Sequence, residues 1–245
     1  MRYIVADIHG CYNEFMELLH AIGFSSQDEL FVLGDCMDRG PHPIAVIQQL
    51  ISMPNARYVL GNHDAMMLSV LRCLTAEITA ESIDTLKNQE QVSQIYSLWM
   101  NNGGEVTLGQ FAALPQQQQE EILCYLKQAS TFEAVQHNDA LYIMVHGGID
   151  QFDPTKELEE YDPQDFLWCR ANYRCRYYAS DRIHLVTGHT PTPLIRKDKQ
   201  PLIFQENGHL ALDCGCVFGG QLAAYCLETG QTVYVNSQQE GVLNP

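Results

Sequence analysis

Asp7, His9, Asp35, Asn62, His146 and His189 are the side chains whose types and spacing could do chemistry together. Each follows a short apolar run and has a glycine nearby. The segments are Asp7-Ile8-His9-Gly10 after Tyr3 to Ala6, Gly34-Asp35 after Leu30 to Leu33, and Gly61-Asn62-His63-Asp64 after Tyr58 to Leu60. His146-Gly147-Gly148 follows Tyr142 to Val145, and Gly188-His189 follows His184 to Thr187. Carboxylate, amide and imidazole without thiolate form a ligand set of intermediate hardness, suited to manganese, iron or zinc. Six ligands are too many for one tetrahedral ion and suit two ions that share a carboxylate, about 3.5–4 Å apart. Asp35 is the expected bridge, because it has two oxygens and leaves a central strand. A strand period of two is expected to put Asp7 and His9 on one side. A single His or Asp at a strand end is more often a cap or a buried structural group. Five strand ends, each with a ligand and a glycine, argue against coincidence.

The runs that carry these residues are short, aromatic or β-branched, and bounded by turn residues, the pattern of buried strands. Between the first three lie helical patterns. Phe15, Leu18, Leu19 and Ile22 stop at Gly23, and Ile44, Ile47, Leu50 and Ile51 follow Pro43 in a favoured first-turn position. The chain therefore opens β-α-β-α-β. From about 69 to 128 an inserted helical lobe is expected. Later runs flank turns at His137-Asn138-Asp139, Asn207-Gly208 and Thr229-Gly230, so the last third is expected to be an antiparallel meander. The expected fold class is α+β: two packed mixed β-sheets flanked by helices, in one domain over residues 1–245.

The chain has 245 residues, enough to bury a large core, and a formal net charge of −16 from 30 acidic and 14 basic residues. Such a surface repels a phosphate backbone, so no nucleic-acid partner is expected. No stretch of about 18 apolar residues and no signal-peptide core occurs, so no membrane partner is expected and a cytoplasmic location is. Nine cysteines then read as reduced thiols. Cys214-x-Cys216 has no second pair at zinc-site spacing and reads as turn packing. No phosphate-cradling cysteine loop and no Gly-x-x-x-x-Gly-Lys nucleotide loop is present.

Asp-Ile-His-Gly (7–10), Gly-Asp-Cys-Met-Asp-Arg-Gly (34–40), Gly-Asn-His-Asp (61–64), His-Gly-Gly (146–148) and Gly-His-Thr-Pro (188–191) resemble, in order, the motifs of the phosphoprotein phosphatase family of calcineurin-like metallophosphoesterases. The likeness is nearest to the bacterial serine/threonine phosphatases. Trp99-Met100-Asn101-Asn102-Gly103-Gly104, Leu167-Trp168-Cys169-Arg170 and the segment from Asp213 to Gly220 support it, and it runs from residue 4 to about 227. The resemblance implies the calcineurin-like fold and two divalent metal ions, manganese first, with iron or zinc as alternatives. It implies Asp7, His9, Asp35 and His189 around one ion and Asp35, Asn62 and His146 around the other. It implies His63 as general acid oriented by Asp38, and Arg39 with Arg170 as the pair that grips the phosphoryl oxygens. Two departures stand out. Asp64 replaces the Glu of many protein phosphatases, a form shared with dinucleoside polyphosphate hydrolases, and Gly147 stands where Ala is common.

The chemistry follows from the residue types as well. Two cations neutralise phosphoryl oxygens and acidify a shared water, giving direct attack by a hydroxide held at the ions. Guanidinium groups meet those oxygens bidentately, and an imidazolium favoured by Asp38 can protonate the leaving oxygen. The expected activity is a phosphoserine and phosphothreonine phosphatase, with phosphotyrosine as a further substrate and a phosphoprotein or phosphopeptide as partner. The basic concentration Arg170, Arg174, Arg176 and Arg182 is expected to form a rim for anionic substrate. The alternative is a dinucleoside polyphosphate hydrolase, for which diadenosine tetraphosphate is the type substrate. A non-enzymatic phosphoprotein-binding module is disfavoured, because no ligand is missing.

Overall fold

The computed structural model describes residues 1–75 and 89–240. The opening is the expected one. Strands β1 (Arg2–Val5), β2 (Glu29–Leu33) and β3 (Ala56–Val59) are parallel neighbours, joined by helices α1 (Tyr12–Ala21) and α2 (Pro43–Ile51). Helix α3 (Asn62–Thr75) leaves β3, and α4 (Gln89–Asn101), α5 (Gly104–Ala112) and α6 (Gln116–Lys127) complete the described part of the helical lobe. Residues 76–88 of the expected insertion at 69–128 lie outside the described residues. No described helix is long and apolar enough to cross a membrane.

The last third departs from a simple meander. β4 (Phe132–His137) and β5 (Ala140–Val145) do form a hairpin, as do β7 (Phe204–Glu206) with β8 (His209–Ala211) and β9 (Gln221–Cys226) with β10 (Thr232–Asn236). However, β6 (Ile183–Thr187) pairs in parallel with both β5 and β8, so the second sheet is mixed, in the order β4-β5-β6-β8-β7. The last hairpin crosses back to the first sheet, where β9 lies antiparallel to β1. Turn residues predict hairpins well but not where each hairpin docks.

Strand alternation explains the layers. Val5, Leu30 and Val32 face α1, α2 and α3 in one core, while Ile4, Phe31 and Leu33 turn to the other side and meet Met144, Val186 and Leu210 between the sheets. Ile143, Val145 and Leu185 then cover the outer face of the second sheet beneath Phe166 and Tyr173. Both faces of each central strand are thus buried, which is why these strands are continuous apolar runs. The parallel strands of both sheets deliver their carboxyl ends, and the loops after them, to one edge of the sandwich.

Candidate metal centre

Asp7 and His9 follow β1, Asp35 follows β2, Asn62 opens α3 just after β3, His146 follows β5 and His189 follows β6. A loop, not a strand face, brings Asp7 and His9 together. β1 stops at Val5, and the two residues have φ of +51° and +44°. Asp35, Asp38, Arg39 and His189 share this left-handed conformation, at φ of +52°, +69°, +65° and +63°. Each such residue costs about 1–3 kcal/mol and persists only where its surroundings impose it. The loops impose it here through backbone bonds, His9 N–H to the Asp35 carbonyl (2.9 Å) and Gly10 N–H to the Cys36 carbonyl (2.9 Å). Two glycines permit the close approach. A Cβ on Gly61 would lie 2.1 Å from Oδ1 of Asp35, and one on Gly188 would lie 2.1 Å from Oδ2 of Asp7.

Asp35 stands at the centre. Its Oδ2 is 3.7 Å from Nε2 of His9 and 3.3 Å from Nε2 of His146, while Oδ1 accepts the His63 backbone N–H at 3.0 Å. Ligand atoms of His9, Asp35 and His63 lie within 4.8 Å of one another, and so do those of Asp35, His146 and His189. Asn62 belongs to the second group: its Oδ1 is 2.9 Å from Nε2 of His146 and 3.0 Å from Nδ1 of His189. His189 differs from the expected partition. Its backbone N–H donates to the Asp7 carboxylate (2.9 Å to Oδ2), but its ring turns away toward Asn62 and His146. Sequence order cannot show which way a ring points after a left-handed residue.

Second bonds set the tautomers. Nδ1 of His9 donates to the Met37 carbonyl and Nδ1 of His146 to the Leu33 carbonyl, both at 2.7 Å, so each presents Nε2 to the centre. Burial, with the field of Arg39, holds His9 well below the usual imidazole pKa. Burial, with the field of His146, brings His189 down to about 3. Burial opposes charge on His146 too, yet the Asp35 carboxylate outweighs it and lifts His146 to about 10. Burial alone would raise Asp35, but His146 and His63 keep it well below the carboxylate range. Asp7 goes the other way. Burial, then Asp213, raises it well above that range, and its hydrogen bonds come from a single backbone N–H. Two buried carboxylates beside three imidazoles and an amide oxygen are a donor set that fits divalent metal ions.

Beside these ligands, Nδ1 of His63 donates to Oδ2 of Asp38 at 2.7 Å. Arg39 donates to Nε2 of His9 (2.6 Å) and to Nε2 of His63 (2.8 Å), so its guanidinium spans the two imidazoles. Arg170 makes no direct contact with this group among the described residues. It is exposed, and its charge is one of the influences that keep His189 neutral.

Four residues do work that the sequence did not disclose. Trp99 and Thr107, from α4 and α5, bond both oxygens of Asp38, Nε1 to Oδ2 at 2.8 Å and Oγ1 to Oδ1 at 2.6 Å. Asp64, wholly buried, accepts from the backbone N–H groups of Asp35 and Gly61 (both 3.0 Å) and from the Tyr58 hydroxyl (2.6 Å). Asp64 thus ties two ligand loops together. Asp213 takes the Gly215 N–H at 2.9 Å and charges the surroundings of Asp7. Trp99, Asp64 and Asp213 each stood in a motif of the resemblance, but with no mechanism attached, and Thr107 carried no signal. Cys216 packs with Cys11 and Glu14 in a separate buried cluster, and the described cysteines are free.

Comparison with known proteins gives the family and changes one expectation. A "Bis(5'-nucleosyl)-tetraphosphatase, symmetrical" of Acidovorax ebreus is 35% identical over 54% of this chain and 50% of its own length, so the chain spans half of that relative. A "Bis(5'-nucleosyl)-tetraphosphatase PrpE [asymmetrical]" of a Geobacillus strain is 28% identical over 96% of this chain and 93% of its own. A crystal structure provisionally called a diadenosine tetraphosphatase shares the fold, with a TM-score of 0.63 at 20% identity over 96% of this chain and 93% of its own. These names overturn the expectation of a phosphoprotein or phosphopeptide partner, since the relatives are named for small nucleotide substrates. The physical reason is that the shared motifs handle one phosphoryl group and are indifferent to what it is attached to. The family model for calcineurin-like phosphoesterases matches residues 3–231, and the chain belongs to that family.

Proposed function

We propose that this protein is a dinucleoside polyphosphate hydrolase that cleaves a phosphoanhydride bond with two divalent cations. The match to the Geobacillus tetraphosphatase, over nearly the whole of both chains, carries this reading. Asp35, Asn62, His146 and His189 would hold one ion, and Asp35, Asp7 and His9 the other, with Asp35 shared. Bound there, the ions would neutralise phosphoryl oxygens and acidify a water for attack on phosphorus.

The chain's own residues supply the rest. Arg39 donates from two nitrogens and, once it turns from His9 and His63 to substrate, meets two phosphoryl oxygens at once. Arg170, exposed and close enough to act on His189, meets the same group from the other side. His63, held through Nδ1 by Asp38, offers Nε2 to the leaving oxygen. That oxygen belongs to a nucleotide phosphate, a far better leaving group than a serine alkoxide, so the proton matters less here than in a monoesterase.

Ion-exchange separation of the products of diadenosine tetraphosphate, with manganese added, tests the reading. Two ADP molecules indicate symmetrical cleavage and AMP with ATP asymmetrical cleavage. A specificity constant for any phosphopeptide above that for the dinucleotide would refute it.

A further inference from the structure

A cavity of about 620 Å³ opens beside the metal centre, within the range of small-molecule sites, about 300–1,000 Å³. One wall is Ala171 to Arg174, the chain directly after Arg170. The facing wall is Leu194 to Asp198, reached from His189 through the short helix α7 (Thr192–Ile195). Tyr173 links the cavity to the strand that leads to His189. Its buried ring lines the cavity, and its hydroxyl is 2.9 Å from Oγ1 of Thr187, two residues before His189. On the facing side, the Thr192 N–H that opens α7 donates to the Asp213 carbonyl at 2.7 Å.

Three cations mark the way from the centre to this space. Arg170, Arg174 and Lys197 are exposed, and their side chains make no hydrogen bond or ion pair among the described residues. On a chain with 30 acidic and 14 basic residues, three unpaired cations in one stretch form a local anion path. Arg196 is different. It is committed to Asp198 (2.9 and 2.5 Å) and to the Ile203 carbonyl (2.7 Å), so it builds the wall and cancels the Asp198 charge. Polar groups remain for a heterocycle edge. Asn207 spends its amide N–H on the Tyr173 carbonyl and keeps Oδ1, and Asn172 spends Oδ1 on the Arg174 backbone and keeps its amide N–H, while Glu206 adds a carboxylate.

We infer that this cavity takes the nucleoside remote from the phosphoryl group under attack, with Arg174 and Lys197 along the polyphosphate chain that leads to it. The inference rests on the dinucleotide reading above. The apolar lining of Ile195 and Phe204 suits the face of a base, and the two amides suit its edge.

The test compares diadenosine tetraphosphate with p-nitrophenyl phosphate, which has no second nucleoside. Two variants are used: Arg174→Ala with Lys197→Ala, which removes the charge, and Ile195→Trp, which fills the space. Each should raise KM for the dinucleotide by about tenfold or more and move kcat/KM for the aryl phosphate by less than about threefold. Retained aryl phosphatase activity shows that the variants fold; should the filling variant fail to, the charge pair decides. Equal changes for both substrates, or no change for a dinucleotide that the wild type hydrolyses, would overturn the cavity's role. A wild type that hydrolyses the aryl phosphate but not the dinucleotide would instead overturn the functional reading, and the inference would fall with it.

Discussion

Trp99 donates from Nε1 to Oδ2 of Asp38 at 2.8 Å, the same oxygen that receives the Nδ1 proton of His63 at 2.7 Å. Thr107 closes the other side, donating to Oδ1 (2.6 Å) and accepting the Asp38 backbone N–H (2.9 Å). Asp38 is therefore wholly buried yet fully bonded, and residues of the helical lobe aim the imidazole. Gly104 seats the indole: a Cβ there would lie 2.5 Å from Nε1.

Trp99→Phe keeps an aromatic ring in the core and deletes the donor. Asp38 then holds one bond fewer in a fully buried site, which costs about 1–3 kcal/mol. Thermal denaturation should show that loss. Turnover should fall by about tenfold, because the imidazole is less firmly oriented. An unchanged kcat in a destabilised variant would reduce Trp99 to a packing residue.

His63→Asn should slow hydrolysis of an alkyl phosphate monoester by about 10²–10⁴-fold, the usual worth of general acid catalysis. Diadenosine tetraphosphate should suffer less, since a nucleotide leaves without full protonation. Metal content should stay that of the wild type. Parallel losses on both substrates would show that His63 acts on something other than the leaving oxygen.

The strands were legible because buried central strands leave continuous apolar runs, and the cluster of candidate ligands because each run ends in one near a glycine. The order of the strands was not. Ile4 pairs with Tyr225 and Leu185 with His209, and local turn signals carry no trace of partners so far apart. The backbone of Asp7 and His9 was misread for a related reason: apolar periodicity implies an extended chain, and left-handed residues such as these are imposed by tertiary bonds. Asp64 shows the limit at the site. As a motif letter it was compatible with either substrate class, and nothing in it showed that its side chain binds Asp35, Gly61 and Tyr58. The rest of the substrate was illegible, because the motifs address only the phosphoryl group.

Gly188→Ala tests whether close approach matters at the centre. The added carbon would lie 2.1 Å from Oδ2 of Asp7, so the carboxylate or the His189 loop must move. Manganese content measured by atomic emission should drop, and activity should fall by more than about a hundredfold, in keeping with a small displacement of reacting groups. Gly109→Ala is the control, since a Cβ there meets nothing within 4 Å. Full manganese occupancy in Gly188→Ala would show that the loop absorbs the change.

The stabilisation that metal brings should depend on pH in a particular sense. In the metal-free protein burial raises Asp64 and Asp213 from 3.8 to about 6 each, and raises Asp7 further. A carboxyl with a raised folded pKa contributes stability below its unfolded pKa and loses it as pH rises through the folded one. Taken alone, these carboxyls would weaken the metal-free fold as pH rises above about 4. His9 and His189, held below the usual imidazole value of 6.5, act in the opposite sense up to that value, so the metal-free fold itself should change little across this range. Metal binding is where the carboxyls show, because cations favour their ionised form, while Asp35 is shifted down and His146 up to about 10 and both keep their charge. Bound cations would compensate the ionised carboxylates, so manganese should raise Tm more at pH 8 than at pH 5. Chelation should abolish hydrolysis and manganese restore it. An equal or smaller Tm gain at pH 8 would show that the buried carboxylates are not what the metal neutralises.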